Sequence, residues 1–281
     1  MTNSNLNSIL FPVEKVKNPA ITNSEYAYII QGEIDGQIMD LNYCSNRYEL
    51  VPNEMIFPKI EALLEAKGVD FTGKYSHVNH VRFYADYIIE NESLSIGVGT
   101  DKVKPTLRVT HSYNGLTKYS MTFGYFRLIC SNGLTIPLEG HEEKNLHIVG
   151  KHTKQIQDSL ESLMNKIDTF IEMQPKIVKK LEVLTDRSIK NYGERVEAVL
   201  DATSLKPSKD QLSVILSTIE KEAKTLNTVP NDWLIYNPVN AYIFKGVDSY
   251  GNVSKAVPEK KYADDSKVLK WIMNNEPANV G

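Results

Sequence analysis

The sequence has few cysteines and no long apolar run. Cys44 and Cys130 are the only two cysteines among 281 residues, and they form no C-x-x-C pair. Two cysteines are too few for a disulfide framework, so we expect a reducing compartment. No segment approaches the roughly 20 apolar residues that span a bilayer, and the N-terminus lacks the basic flank and apolar run of a signal peptide. We therefore expect a soluble, cytoplasmic protein.

The motifs of common enzyme classes are also missing. The sequence contains no G-x-S-x-G, no G-x-x-x-x-G-K-[ST] and no H-E-x-x-H. Cys130 with His152 or His111 would be the residue types of a nucleophile and its base, but a cysteine at the end of an apolar strand is more often a small core residue. We predict no catalytic residue and no cofactor, and enzymatic activity stays open with absence favoured.

Three histidines are weak candidates for a metal site. His77 and His80 are three residues apart, and His152 is the third candidate ligand. Zinc sites usually show three or four ligands at recognisable spacing, which this pattern lacks. Surface or hydrogen-bonding histidines are the simpler interpretation.

Charge is distributed unevenly along the chain. The net charge of −3 divides into −6 for residues 1–99, +4 for residues 100–155 and −1 for residues 156–281. The positive field of the protein is therefore concentrated in the segment 100–155. An apolar share of 41% with 24% charged residues is ordinary for a globular protein with a core.

The apolar periodicity changes near residue 150. Residues 24–136 alternate as strands do, and residues 151–246 have the period of helices. This order predicts an α+β fold, with an N-terminal antiparallel β-meander that includes one short helix, followed by a mostly helical C-terminal half. We expect an N-terminal arm at 1–23, a β-rich core at 24–150 that contains the basic segment, a helical region at 151–246 packed on or beside the sheet, and a loop-rich tail at 247–281.

Turn residues predict the first two hairpins, and caps predict two helices. Asp35-Gly36 tolerates the positive φ of a tight turn, and Asn91-Glu92 is expected to join strands at 81–90 and 93–99. Residues 53–68 place apolar side chains on one helical face and end in glycine. Residues 208–211 have the spacing of a capping box, and Pro175 predicts a kink or break in the apolar helical stripe of residues 156–184.

The third hairpin can be predicted in register. A three-residue loop at 114–116 keeps apolar residues on one face and polar residues on the other. The apolar parity shifts after Gly124, which predicts a bulge or bend there. The expected cross-strand pairs are Leu107 with Phe123, Val109 with Met121, Thr110 with Ser120 and His111 with Tyr119.

Three motifs carry a resemblance to a known family. They are the polar hairpin 111–115, the run Arg127-Leu-Ile-Cys130-Ser-Asn132-Gly133-Leu134, and Lys151-His152-Thr153 at the start of a helix. Weaker matches lie at residues 48–57, Trp233 and Asn240. On these motifs the chain resembles the family called domain of unknown function 932. The resemblance implies a phage or plasmid protein of mobile-element DNA metabolism or host conflict, and it names no reaction.

Basic side chains flank aromatic ones in the segment 100–155. Phosphates require cations, and unstacked bases stack on aromatic faces, so this pattern is typical of a single-strand groove. A half-solvated sheet with a core of aromatic residues explains it nearly as well. Asn132-Gly133 is expected to form a turn toward the helices. The predicted phosphate contacts are Arg108, Lys118, Arg127, Lys151 and Lys154, and the predicted stacking residues are Tyr113 and Tyr125. An alternative places Arg127 in a buried ion pair with Asp86 or Glu90.

These features favour one function over two rivals. The leading hypothesis is a non-enzymatic, homo-oligomeric, single-stranded nucleic-acid-binding protein of a phage or plasmid, since the layout is similar to that of phage single-strand annealing proteins. The first alternative is a protein-interaction module, such as a host-defence inhibitor or a phage structural component, with the stripe 156–184 as an interface. The second alternative is a metal-dependent hydrolase centred on His77, His80 and His152. Whether DNA, RNA or protein is the partner stays open.

Overall fold

The fold was obtained as a computed structural model of the chain. The residues that the structure describes are 5–21, 26–91, 95–98, 101–116, 119–127, 133–134, 147–150, 166–167, 169, 172–173, 175–176, 178–179, 182–244 and 259–277.

A small antiparallel sheet forms near the N-terminus. Its strands are β1 (Val13–Lys17), β2 (Tyr28–Ile34) and β3 (Gln37–Cys44), in the order β1-β2-β3. The turn from β2 to β3 has φ of 51° at Asp35 and 75° at Gly36, which is the tight turn that the sequence predicts. Because β1 pairs with β2, part of the expected N-terminal arm belongs to the sheet.

The larger sheet has seven strands. They are β4 (Phe71–Val78), β5 (Arg82–Ile89), β6 (Ile96–Val98), β7 (Asp101–Ser112), β8 (Tyr119–Arg127), β9 (Gly133–Leu134) and β10 (His147–Gly150). The order is β10-β8-β7-β5-β4, with β6 on β7 and β9 on β8. The predicted second hairpin is wrong, because β5 pairs with β4 and β7, while β6 pairs with β7. The alternation in residues 81–99 does not identify the neighbour of either strand.

The third hairpin has the predicted register. Leu107 lies opposite Phe123, Val109 opposite Met121, and Thr110 opposite Ser120. The predicted bulge at Gly124 is wrong, since the register continues unchanged from that residue to Arg127. The pairing of β8 with β7 therefore continues without a bulge through Gly124.

One short helix packs on the larger sheet. Helix α1 (Phe57–Ala66) buries Ile60 and Leu64 completely. Gly68, with a φ of 67°, closes the C-terminal end of this helix. The amide of Gly68 bonds to the carbonyl of Glu65 and the amide of Val69 bonds to the carbonyl of Leu64, which together make a Schellman motif. These residues join the inward-facing residues of the sheet and of the later helices in one hydrophobic core.

The C-terminal half is helical, which confirms the α+β prediction. The described residues between 166 and 186 are helical, including Pro175. The predicted kink involves neighbours of Pro175 that lie outside the described residues. The named helices are α2 (Tyr192–Thr203), α3 (Lys209–Thr225), α4 (Asp232–Ile243) and α5 (Glu259–Asn274). Helix α5 occupies much of the expected loop-rich tail. In the part of the chain described, no helix is long and apolar enough to cross a membrane.

The capping box at the start of α3 gives a test of local helix stability. The Ser208 hydroxyl accepts a hydrogen bond from the Gln211 amide at 3.3 Å, and the Gln211 side chain accepts one from the Ser208 amide at 2.8 Å. We expect Ser208→Ala to lower the free energy of unfolding by about 1 kcal/mol, because two helix N–H groups lose this reciprocal arrangement. Urea unfolding measures the change. Ser217→Ala, an exposed substitution inside the same helix, is the matched control, and equal losses in both variants would contradict the assignment.

Candidate nucleic-acid interface

Arg108 lies in the middle of the larger sheet and is paired with an acid. Its Nε donates to Asp86 Oδ1 at 2.7 Å and its Nη2 donates to Asp86 Oδ2 at 2.8 Å. The two residues lie opposite each other on β7 and β5, and each side chain is 24% exposed. This two-bond geometry is the strong form of a guanidinium–carboxylate contact. The predicted phosphate ligand is therefore held in place, and its charge is balanced by its neighbour.

A second ion pair lies further along the same strands. Lys104 Nζ donates to Glu90 Oε2 at 2.6 Å, and the Thr72 hydroxyl donates to Glu90 Oε1 at 2.8 Å. Asp86 and Glu90, the two candidate partners of Arg127 in a buried ion pair, thus bind Arg108 and Lys104. Backbone pairing places Arg127 opposite Val103, and its side chain lies outside the described residues.

The polar face of the sheet also carries hydroxyls. Thr110 and Ser120 lie opposite each other with their side-chain oxygens 2.7 Å apart. Thr122, opposite Arg108, is buried. This face is rich in polar groups. Besides the two ion pairs it carries two more basic residues, Lys74 opposite Asp86 and Arg82 opposite Ser112.

Tyr113 must be removed from the predicted stacking residues. Its side chain is fully buried, and its hydroxyl accepts a hydrogen bond from the backbone amide of Asn53 at 3.0 Å. Burial raises the pKa of the Tyr113 hydroxyl well above its ordinary value. Tyr119 and Phe123 on β8 are buried as well, so the described aromatic residues of this hairpin belong to the core. The side chain of Tyr125 lies outside the described residues.

Two of the family segments contact each other at the end of β7. The Tyr48 hydroxyl donates to the carbonyl of Tyr113 at 2.9 Å, and His111 Nε2 donates to the carbonyl of Val51 at 2.9 Å. The Asn53 side chain donates to the carbonyl of Ile9 at 2.7 Å. Residues 48–53 and 111–113 therefore form one hydrogen-bonded unit, which we call the β7 anchor. The sequence contained both segments without showing that they meet.

Strand β10 brings a distant basic segment to the start of β8. The two strands are antiparallel, with Thr122 opposite His147 and Tyr119 opposite Gly150. In the sequence, Lys118 immediately precedes Tyr119, and Lys151 immediately follows Gly150. Each of the two strands therefore has a lysine as its direct neighbour in the sequence. Lys118, Lys151, His152, Thr153 and Lys154 themselves lie outside the described residues.

The segment after β8 differs from its prediction in one respect. Gly133 was expected to form a turn toward the helices with Asn132, but it belongs to β9 and pairs with Phe126 on β8. Strand β9 therefore lies antiparallel beside the end of β8. Cys130 and Asn132 lie outside the described residues.

The geometry of His77 and His80 gives no support to a shared metal. Their rings are stacked with centroids 4.0 Å apart, and the backbone amide of His80 donates to His77 Nδ1 at 3.3 Å. The nitrogen lone pairs of stacked rings lie in two nearly parallel planes, whereas the ligands of one ion must converge on it. His152 lies outside the described residues. Among the residues described, no group of three or more histidine, cysteine or acidic side chains is arranged to hold a metal ion.

Sequence reasoning missed a buried ion pair in the helical half. Arg195 donates to both carboxylate oxygens of Asp232, at 2.9 and 3.1 Å, and Asp232 is fully buried. Arg195 also donates to the carbonyl of Asn275, and Arg187 donates to the carbonyl of Ile272 at 2.9 Å. The two arginines thus satisfy carbonyls at the end of α5, where cations are favourable. Nothing in the local sequence pairs these residues, because 37 positions separate Arg195 from Asp232.

A second buried acid lies between α4 and α5 and has no cation beside it among the described residues. Asp265 Oδ1 accepts hydrogen bonds from the Tyr236 hydroxyl at 2.7 Å and from the Asn240 side chain at 2.8 Å. Asp265 Oδ2 is buried with no hydrogen-bond partner in the described part of the chain. Burial raises the pKa of this carboxyl from 3.8 to about 7, and the two hydrogen bonds oppose the rise.

The architecture and these contacts define an α+β protein with a buried anchor at the end of its central strand. The family model described as a domain of unknown function (DUF932) matches residues 40–258, and the chain therefore belongs to that family, as the motifs indicated. The matched range includes the β7 anchor and α4, and it ends before α5. Searches among curated proteins and among solved structures found no match.

Tyr113→Phe tests the anchor against the stacking role. We expect this variant to lower the free energy of unfolding by about 1–3 kcal/mol, because the buried amide of Asn53 loses its partner. Affinity for single-stranded oligothymidine should not change, since the ring is inside the core. Urea unfolding and fluorescence anisotropy measure the two quantities. The exposed Tyr43→Phe is the matched control. If Tyr113→Phe kept the stability of the wild type and bound oligothymidine more weakly, the assignment of Tyr113 to the core would be wrong.

Asp265→Asn tests the buried acid. The carboxyl has a raised pKa in the folded state, so its contribution to stability is full below pH 3.8 and is lost as the pH rises through about 7. We expect the free energy of unfolding of the wild type, relative to Asp265→Asn, to fall across this window and then level off. Urea unfolding at a series of pH values gives this difference. The neighbouring Asp264→Asn, in a partly exposed pair with Lys267, is the control and should not reproduce the trend. A constant difference between wild type and Asp265→Asn would contradict the burial of an uncompensated carboxyl.

Proposed function

We propose that this protein binds single-stranded nucleic acid without enzymatic activity, as an annealing or recombination factor of a phage or plasmid acting in the host cytoplasm. The observation that carries the proposal is the pairing of β10 with β8. This pairing places Tyr119 opposite Gly150, which is 31 residues further along the basic segment. Lys118 directly precedes Tyr119 and Lys151 directly follows Gly150 in the sequence. Clustered cations of this kind are what a phosphate backbone requires.

The described ion pairs narrow the set of binding residues. Arg108 and Lys104 are balanced by Asp86 and Glu90, so they add little net charge to the surface. We therefore assign the main phosphate contacts to Lys118, Arg127, Lys151 and Lys154, and stacking to Tyr125. The proposal thus moves the interface from the middle of the sheet to the β8 and β10 side.

The acidic first third of the chain favours a local groove. Residues 1–99 carry a net charge of −6, which repels a polyanion over any wide surface. Binding would then depend on a few close contacts and would weaken steeply with salt. The polar, hydroxyl-bearing face that includes Thr110 and Ser120 supplies hydrogen-bond groups beside such a groove.

A salt series with single-lysine variants tests the function. We expect the wild type to bind labelled oligothymidine at low salt, and Lys151→Gln or Lys118→Gln to bind more weakly. Each variant should reduce the slope of log affinity against log salt by about 0.7, the value for one phosphate contact on a single strand. Fluorescence anisotropy provides both affinity and slope.

Lys221→Gln is the matched control, because Lys221 is an exposed lysine on α3, far from the strand pair in sequence. It should leave the slope unchanged. If the wild type showed no binding at low salt, the proposed function would be wrong. If Lys118→Gln, Lys151→Gln and Lys221→Gln all reduced the salt dependence of binding equally, the interface would not lie at β8 and β10.

A further inference from the structure

Helix α5 packs on the helices of the family domain but lies outside the matched range. The family match ends at residue 258, and α5 begins at Glu259. It contacts α2 and α4. Val268, Leu269 and Ile272 are fully buried, and their spacing places them on one face of α5. Helix α5 is therefore an addition that docks on the family domain through one apolar face.

The hydrogen bonds of α5 show that it runs antiparallel to α4. Asp265 binds Asn240 in the second half of α4. Further along α5, the carbonyl of Asn275 accepts from Arg195, whose guanidinium also binds Asp232 at the start of α4. The start of α5 therefore lies toward the end of α4.

The connection between these two helices does not hold them together. Residues 244–258 join α4 to α5, and they exceed the roughly 2–8 residues that usually connect neighbouring helices in bundles. A chain of this length allows α5 to separate from α4 while the two helices stay joined. The docking of α5 therefore depends on its side-chain contacts.

The polar contact in the middle of α5 is incompletely satisfied. Asp265 is fully buried, and its Oδ2 atom has no hydrogen-bond partner in the part of the chain that the structure describes. Trp233 Nε1 and Asn237 Nδ2 are buried without a described partner as well. The spacing of residues 233, 236, 237 and 240 places their side chains on one face of α4. Because buried polar atoms without partners weaken packing, α5 is held less firmly than an apolar interface of the same size would hold it.

We propose that α5 is a detachable cover over the α4 face that carries Tyr236 and Asn240, and that ionisation of Asp265 loosens it. In the docked helix the carboxyl is buried, and in the detached helix it meets water. Burial favours the neutral carboxyl, so docking binds a proton that detachment releases. Detachment uncovers an apolar groove with amide and hydroxyl groups, inside the matched family range. This regulation goes beyond nucleic-acid binding and does not depend on it.

No charged group offsets the burial of Asp265 among the described residues. Its pKa is raised from 3.8 to about 7 by burial, and the hydrogen bonds from Tyr236 and Asn240 oppose the rise. None of the charged side chains on the packed elements contributes to this pKa. Those that α4, α2 and the segment before α2 direct at α5 are Asp232, Arg195 and Arg187, and those beside Asp265 on α5 are Lys261, Asp264 and Lys267.

Hydrogen exchange of the full chain, followed by mass spectrometry and divided by the intrinsic rate at each pH, tests whether α5 detaches on its own. We expect the opening constant of the α5 amides to exceed that of the α4 amides, because α5 leaves while the rest stays folded. It should rise about tenfold per pH unit through the acidic range and level off above a pH of about 7. Equal opening constants for α5 and α4 would overturn the proposal, as would an α5 opening constant that does not change with pH.

Three variants separate ionisation from packing. Asp265→Asn has no charge to gain, so its α5 opening constant should not depend on pH. Asp264→Asn, in the partly exposed pair with Lys267, is the matched control and should keep the wild-type profile. Tyr236→Phe removes a hydrogen bond that lowers the pKa of Asp265, so the levelling should move to higher pH, whereas a packing defect alone would raise the opening constant without moving it. A wild-type profile in Asp265→Asn, or unmoved levelling in Tyr236→Phe, would overturn the role of Asp265.

Discussion

The hydrogen bonds of the β7 anchor join three parts of the protein that the chain order keeps separate. Tyr113 holds the amide of Asn53, and the carbonyl of Tyr113 accepts from Tyr48 and from the Asn42 side chain on β3. The small sheet, the segment before α1 and the end of the central strand therefore share one set of hydrogen bonds, of which the bond between Asn53 and Tyr113 is buried. Buried polar groups are costly when they lose their partners, so this region tolerates little rearrangement. Its tyrosine, histidine and asparagine side chains serve the fold, and any binding surface must be built around it.

This constraint explains why the interface proposed for nucleic acid lies at the side of the sheet. The aromatic side chains described on the central hairpin are used in the core, and the central arginine is used in an ion pair with Asp86. Strand pairing then determines which residues of the basic segment are available to a ligand. The pairing of β8 with β10 brings together two parts of the segment 100–155 that are far apart in sequence.

The helical half contains two buried acids in different environments. Asp232 is bonded by Arg195 through two hydrogen bonds, which offset part of the loss of water around its charge, while burial still raises the pKa of its carboxyl. Asp265 has only neutral donors in the described part of the chain, and burial raises the pKa of its carboxyl to about 7. The pair of Asp232 with Arg195 holds the end of α5, since Arg195 also donates to the carbonyl of Asn275, and Asp265 joins α5 to α4 through its two hydrogen bonds. A carboxylate in a helix has no local sequence signature of either environment, because the partner comes from another helix.

The sequence by itself determined the features that depend on neighbouring residues. Asp35-Gly36 adopts the positive φ values of its turn, Ser208 and Gln211 cap α3, and the alternation around residues 107–123 sets the register of one hairpin. The tertiary structure decided which strands pair beyond a hairpin, as the placement of β5 between β4 and β7 shows. It also decided that Tyr113 is buried and that Arg108 binds Asp86. The physical reason is range: turns, caps and hairpin registers are fixed by bonds a few residues apart, whereas burial and ion pairing depend on which distant segments share one core.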